Sequence, residues 1–186
     1  MKKALKTTVN VIKYLFLGIC ILIIVANLYS LVARKAFGKQ LPLFFGVGTA
    51  IVASGSMEPE IMTGEMVFVC YQRDYKVGQI VSYTGKTTPI THRIIRINYD
   101  ENGNVVSYVT AGDNNFNSDG TLSEDGEIAP DRIIGRVFWH NKLMGKMIDF
   151  MQSTGGIVVI VLIGAAIYFV PEWLEKRKNT AKSQEE

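Results

Sequence analysis

The sequence predicts a mainly-β domain tethered by an apolar helix at each end. Three observations carry that expectation. Residues 14–33 hold no formal charge and are long enough to cross a bilayer core, which takes roughly 20 residues. A second apolar run occupies 155–170, with Trp173 at its boundary. Between them, short segments rich in β-branched and aromatic residues alternate with glycine turns, as strands do.

In chain order, residues 1–13 carry Lys2, Lys3, Lys6 and Lys13 and read as a cytoplasmic N-terminus ahead of a first transmembrane helix over 14–33. That run exceeds the roughly 7–15-residue core of a cleavable signal peptide and shows no clean small-x-small exit, so a retained anchor is expected. Residues 34–150 form the extracytoplasmic domain, 154–171 a second transmembrane helix and 172–186 a cytoplasmic tail. The tail holds Lys176, Arg177, Lys178 and Lys182, and positive residues favour the cytoplasmic side. Arg34, Lys35 and Lys39, at the outer end of the first run, depart from that rule.

Within 34–150 the expected strands are 65–72, 79–84, 90–98, 105–111 and 132–140. Thr63-Gly64, Val77-Gly78 and Asn102-Gly103 mark turns. Segment 41–53 is unusually apolar yet too short to span. It reads as a buried strand or as a surface dipping into the outer leaflet, where membrane lipid becomes a partner. The net charge is +3, but the basic residues cluster beside the apolar runs and leave no basic patch in the middle, which disfavours nucleic-acid binding. The two cysteines are Cys20, in the first span, and Cys70, in a strand. They are expected to form neither a disulfide nor a zinc site.

Directly after the apolar segment comes SGSMEP, residues 54–59. Ser, Gly and Pro are turn formers, so an ordinary bend is one reading. The other is a nucleophile: Ser56 attacks, Gly55 eases the bend, and the Ser54 hydroxyl and Ser56 amide form an oxyanion hole. A serine hydroxyl needs a base to react at neutral pH. The chain has two histidines, and His140 sits among aromatic residues at the boundary of the second span. His92, in the THRIIRI strand, is the stronger candidate.

Asn102-Gly103 is a strong short hairpin signal. With those residues as the turn centre, Glu101 pairs with Asn104 and the ladder sets His92 opposite Asp113, with Cβ atoms about 4.5–5.5 Å apart. A carboxylate there orients one imidazole nitrogen and leaves the other for Ser56. A slip of one residue would turn His92 to the other face. The stretch GDNNFNSDG also reads as a solvated polar loop, or as a calcium loop with Asp113, Asn115, Asn117, Asp119 and Glu124 as ligands. Against calcium, Ser118 stands where that loop needs glycine, and strands rather than helices flank it. No metal or other cofactor is expected.

Taken together, the motifs resemble those of type I signal peptidases, membrane-bound serine proteases that remove signal peptides from exported proteins. SGSMEP is similar to the family's serine box, TGEMVFV and VGQIVSY to its following strands, THRIIRI to its base box, GDNN with Asp119 to its acidic box, and DRIIGRV to the strand beyond. The resemblance covers about residues 50–140. Histidine rather than lysine in the base box resembles the endoplasmic-reticulum-type branch. The resemblance implies a signal-peptidase-type β-fold with two flanking transmembrane helices. It also implies Ser56 as nucleophile, His92 as general base, Asp113 or Asp119 as acidic partner, and Ser54 with the Ser56 amide as oxyanion hole. The implied substrates are preproteins with signal peptides, cut after small-x-small sequences. The rival readings are a membrane-anchored β-domain that binds a protein partner without catalysis, and a self-cleaving regulator with a related protease fold. The oligomeric state is not readable from the sequence.

Overall fold

The computed structural model describes residues 2–182; Met1 and residues 183–186, the end of the expected cytoplasmic tail, lie outside the described residues. The chain divides into two compact units, one formed by 1–27 with 148–186 and the other by 28–147. Besides two short 3-10 turns, the described residues form three α-helices and seven strands: α1 (Lys2–Phe37), β1 (Val47–Ile51), β2 (Met66–Cys70), β3 (Ile80–Tyr83), β4 (Ile90–Tyr99), β5 (Val105–Phe116), β6 (Leu122–Ile128), β7 (Ile133–Asn141), α2 (Lys142–Gln152) and α3 (Thr154–Lys182).

The helical unit contains most of α1 and α3. Residues Asn10–Phe37 of α1 form the one described helix that is long and apolar enough by itself to cross a membrane. The second apolar run is helical throughout, but it meets the same measure only when α2 and α3 count together as a bent pair. The Lys13 ammonium lies 4.0 Å from the centre of the Tyr168 ring.

The other unit is one seven-stranded sheet in the order β1-β2-β7-β3-β4-β5-β6, with every adjacent pair antiparallel. Strands β2, β3, β4 and β7 fall close to their expected positions because they are rich in the β-branched and aromatic residues that suit a pleated sheet. Two apolar clusters hold the sheet. One gathers Leu41, Met57, Ile61, Val67, Val69, Ile80 and Val137, and the other Tyr75, Val81, Tyr83, Ile94, Tyr108, Ile128 and Ile133.

Segment 41–53 divides into a buried start and an exposed hairpin. Leu41 is 4% exposed, whereas Phe45, at φ 50°, is 90% exposed at the tip of a tight turn closed by Phe44 and Val47. The Tyr29 hydroxyl donates to the Leu43 carbonyl at 3.0 Å, and its ring lies 5.6 Å from that of Phe44. Strand β1 follows as an edge strand.

Two differences from expectation reshape the region of interest. Strand β5 runs on through Phe116, so GDNN is strand rather than loop. Strand β6 was not expected at all. Its sequence, LSEDGEI, is acidic and glycine-containing, and most of its residues are exposed because it forms the other edge of the sheet.

Candidate active site

The serine segment is a single 3-10 turn, Gly55–Met57, fixed from below. Met57 and Ile61 are fully buried in the first apolar cluster. Glu58 accepts hydrogen bonds from the Thr63 amide and hydroxyl, which close the loop and keep the Glu58 carboxyl below its ordinary value. Ser56 is thereby presented on a rigid base, with its Oγ 3.2 Å from that of Ser54. From the side, Asn114 of β5 donates to the Gly55 carbonyl at 3.2 Å.

Glycine at 112 permits that close approach. A Cβ there would lie 2.6 Å from the Ser56 carbonyl oxygen and 2.8 Å from Asn115 Nδ2, inside any normal contact distance. Gly112→Ala is expected to displace the serine turn. Because a misplacement of about 1 Å costs roughly 10²-fold in rate, kcat/KM on a peptide substrate should fall by about that factor with little change in melting temperature. Unchanged kinetics would show that the turn adapts.

His92 projects from β4, 6% exposed, with its two ring nitrogens bridging separate elements. Nε2 lies 3.0 Å from Ser56 Oγ, and Nδ1 lies 2.5 Å from Asp125 Oδ2. Thr110 of β5 donates to the same Asp125 oxygen at 2.7 Å. Burial pushes the Asp125 carboxyl up, but hydrogen bonds from His92 and Thr110 outweigh it and hold the group below its ordinary value. Burial drives the neighbouring Tyr83 hydroxyl up to about 12, so it stays protonated. With Nδ1–H donating to an ionised Asp125, Nε2 is free to accept the Ser56 proton, which is the geometry of a hydrolytic triad.

The depressed carboxyl of Asp125 also has a consequence for folding. Its contribution is complete above the unfolded aspartate value of about 3.9 and is lost as pH falls through the lower folded value. The stability difference between the native chain and Asp125→Asn should therefore narrow below about pH 4, as read by chemical denaturation in detergent. A gap independent of pH in that range would contradict the ionised state.

The expected pairing of His92 with Asp113 is not formed. The β4–β5 turn has three loop residues: Asp100 and Asn104 close it, and Gly103 takes φ 81°. Further along the ladder, a second irregularity falls between Ile94 and Arg96, after which Arg93 faces Ala111. That places Asp113 on the face of Arg93 rather than that of His92. Its carboxylate takes two hydrogen bonds from the guanidinium, Nε to Oδ1 at 2.8 Å and Nη2 to Oδ2 at 2.6 Å. Arg93 also reaches the Gly78 carbonyl at 2.9 Å, and the Asp113 hydrogen bonds hold its charge more firmly than usual.

Asp119 is not brought to His92 either. It accepts from the Thr121 amide and hydroxyl at 2.9 and 2.6 Å, capping the exposed β5–β6 turn, and those bonds lower its carboxyl. Asp119-Gly120 is the residue pair that could have revealed this second hairpin, since Asp-Gly is as strong a turn signal as Asn-Gly. Gly120 takes φ 81° there. Following the chain back from that turn would have brought Asp125 into view. His140 stands apart, its Nδ1 2.6 Å from Glu65 Oε2.

No protein-family model matches the chain. The signal peptidase complex catalytic subunit SEC11C of Homo sapiens is 34% identical over 117 residues, 60% of this chain and 55% of that protein. Catalytic subunits SEC11 of Fusarium vanettenii and sec11 of Pyrenophora tritici-repentis are 29% and 31% identical over 116 and 114 residues. Over that stretch the chain is similar to signal peptidase catalytic subunits. It spans between 55% and 62% of the length of these relatives.

Proposed function

We propose that the chain is a membrane-bound serine endopeptidase that removes signal peptides from exported preproteins. The observation that carries this reading is the line Ser56–His92–Asp125, a nucleophile, a base and an orienting anion in contact within a chain related to signal peptidase catalytic subunits. Ser56 attacks the scissile carbonyl, and His92 takes its proton and returns it to the leaving amine. Asp125 holds the imidazole and the positive charge that forms on it. The Ser56 amide and the Ser54 hydroxyl stabilise the tetrahedral oxyanion. Cleavage after small-x-small sequences belongs to the same proposal.

Membrane topology belongs to it as well. Two spans, 14–33 and 154–171, would hold residues 34–150 on the outer face, with the N-terminus and the tail on the cytoplasmic side of a cell membrane. The Lys13–Tyr168 contact supports this arrangement, since it brings the start of the first run beside the end of the second. Exposed Phe45, on a turn tied to Tyr29 of the first helix, supports a lipid-facing site close to where substrates emerge.

The test is the full-length chain in liposomes with a test preprotein, the product's new N-terminus being sequenced. Cleavage at the signal–mature junction after a small-x-small sequence is the expected result. An intact preprotein at high enzyme concentration, with the chain folded, would leave a partner-binding β-domain as the function.

A further inference from the structure

We infer that Thr110 is a positioning residue for the triad, acting through Asp125 to fix the tautomer of His92; the inference rests on the proposed peptidase reading. Asp125 does not come from a regular ladder position. Val109 faces Glu127 and Ala111 faces Glu124, so a single β5 residue, Thr110, stands against two residues of β6, Asp125 and Gly126. Gly126 takes φ 83°, the left-handed conformation that a bulge of this kind uses to re-aim the residue beside it. The bulge turns the Asp125 carboxylate inward from a strand whose other acidic residues, Glu124 and Glu127, point elsewhere, to Arg96 and Ser107.

A bulged residue on an edge strand has little ladder pairing to hold it. Thr110 supplies what the strand lacks. It is fully buried, it lies on an interior strand, and its Oγ1 donates to Oδ2, the oxygen that His92 Nδ1 contacts. Across the β4–β5 ladder Thr110 faces Ile94, two residues from His92 and on the same face. One oxygen of Asp125 thus accepts from two donors fixed by neighbouring interior strands. With the carboxylate pinned, the imidazole proton resides on Nδ1 and Nε2 faces Ser56 as an acceptor. Without the hydroxyl, the carboxylate keeps only its contacts with His92 and the neighbouring Tyr83, and the imidazole takes the other tautomer part of the time, in which Nε2 carries the proton and cannot receive one.

The experiment compares wild type, Thr110→Val, Thr110→Ala and Thr110→Ser as full-length chains in lipid nanodiscs, with two readouts. The first is the imidazole ¹⁵N spectrum at alkaline pH. The chain has only two histidines, and the His92 signals are assigned by their retention in His140→Gln. The second is kcat and KM on a signal-peptide substrate. Thr110→Val is expected to populate the Nε2–H tautomer of His92 and to lower kcat about 10-fold, the scale of one hydrogen bond to a charged group, with KM within about twofold of wild type. Thr110→Ser is expected to restore both. If valine unfolds the chain, alanine takes its place.

A valine or alanine variant with the wild-type tautomer and wild-type kcat would overturn the inference. So would a folded serine variant as impaired as valine, because the cause would then be packing rather than the hydroxyl. If wild type cuts no signal peptide, the proposed function fails, and the tautomer comparison still decides the role of Thr110.

Discussion

Ser56→Ala is expected to reduce cleavage of a signal-peptide substrate by about 10³-fold or more, with His92→Ala close behind and the double variant no worse than either alone. Members of a triad act as a unit, so the first loss removes nearly all that the group supplies. What survives comes from binding and from the oxyanion donors. Stability should hardly move. Among the described residues, Ser56 Oγ hydrogen-bonds the Ser54 hydroxyl and the imidazole, while the turn itself is held by Met57 and Ile61 in the core. The Ser56→Ala chain should therefore melt within about 1 °C of wild type, a shift typical of surface changes well below 0.5 kcal/mol. A chain that loses activity only in proportion to lost folding would remove Ser56 from the chemistry.

Asp125→Asn should cost nearly as much, about 10²–10⁴-fold in kcat. An amide in place of the carboxylate can donate to Nδ1 and so favour the unproductive tautomer, and it cannot balance the imidazolium. The same substitution at the two aspartates first considered from the sequence separates the roles. Asp113→Asn weakens the clamp on Arg93 and should act chiefly on stability, by about 1–2 kcal/mol for charge-assisted hydrogen bonds at a partly exposed pair. Asp119→Asn, at an exposed turn, should leave kcat within about threefold of wild type. Measured kcat for the three variants on one substrate, alongside their melting temperatures, gives the ranking. If Asp113→Asn is the variant that loses kcat at unchanged stability, the Asp125 assignment is wrong.

The contact between Ser56 and His92 was legible in the sequence because their surroundings are locally consistent: turn formers around one, a β-branched strand around the other. The fold class was readable from the same alternation. The carboxylate beside His92 was not, for two reasons. A hairpin register cannot be carried across a bulge, and the irregularity between Ile94 and Arg96 shifts every later pair, taking Asp113 from His92 to Arg93. Strand β6 carries no β-propensity signal, because an edge strand in water keeps charged residues, and its pairing comes from β5 rather than from its own side chains. Segment 41–53 was read as either buried or exposed, and it divides between the two at its hairpin turn.

The peripheral place of β6 has a bearing on how such a protein can change. Nucleophile and base stand on parts of the chain locked into the two apolar clusters, where a shift of even one methyl group propagates. The anion stands on an outer hairpin whose tip, Asn117–Thr121, is exposed and tolerates a change of length. A change of length there is taken up in the turn and leaves Asp125, held by Thr110 and His92, in place. The hairpin can therefore vary at its end while the line from Ser56 through His92 to Asp125 stays as it is.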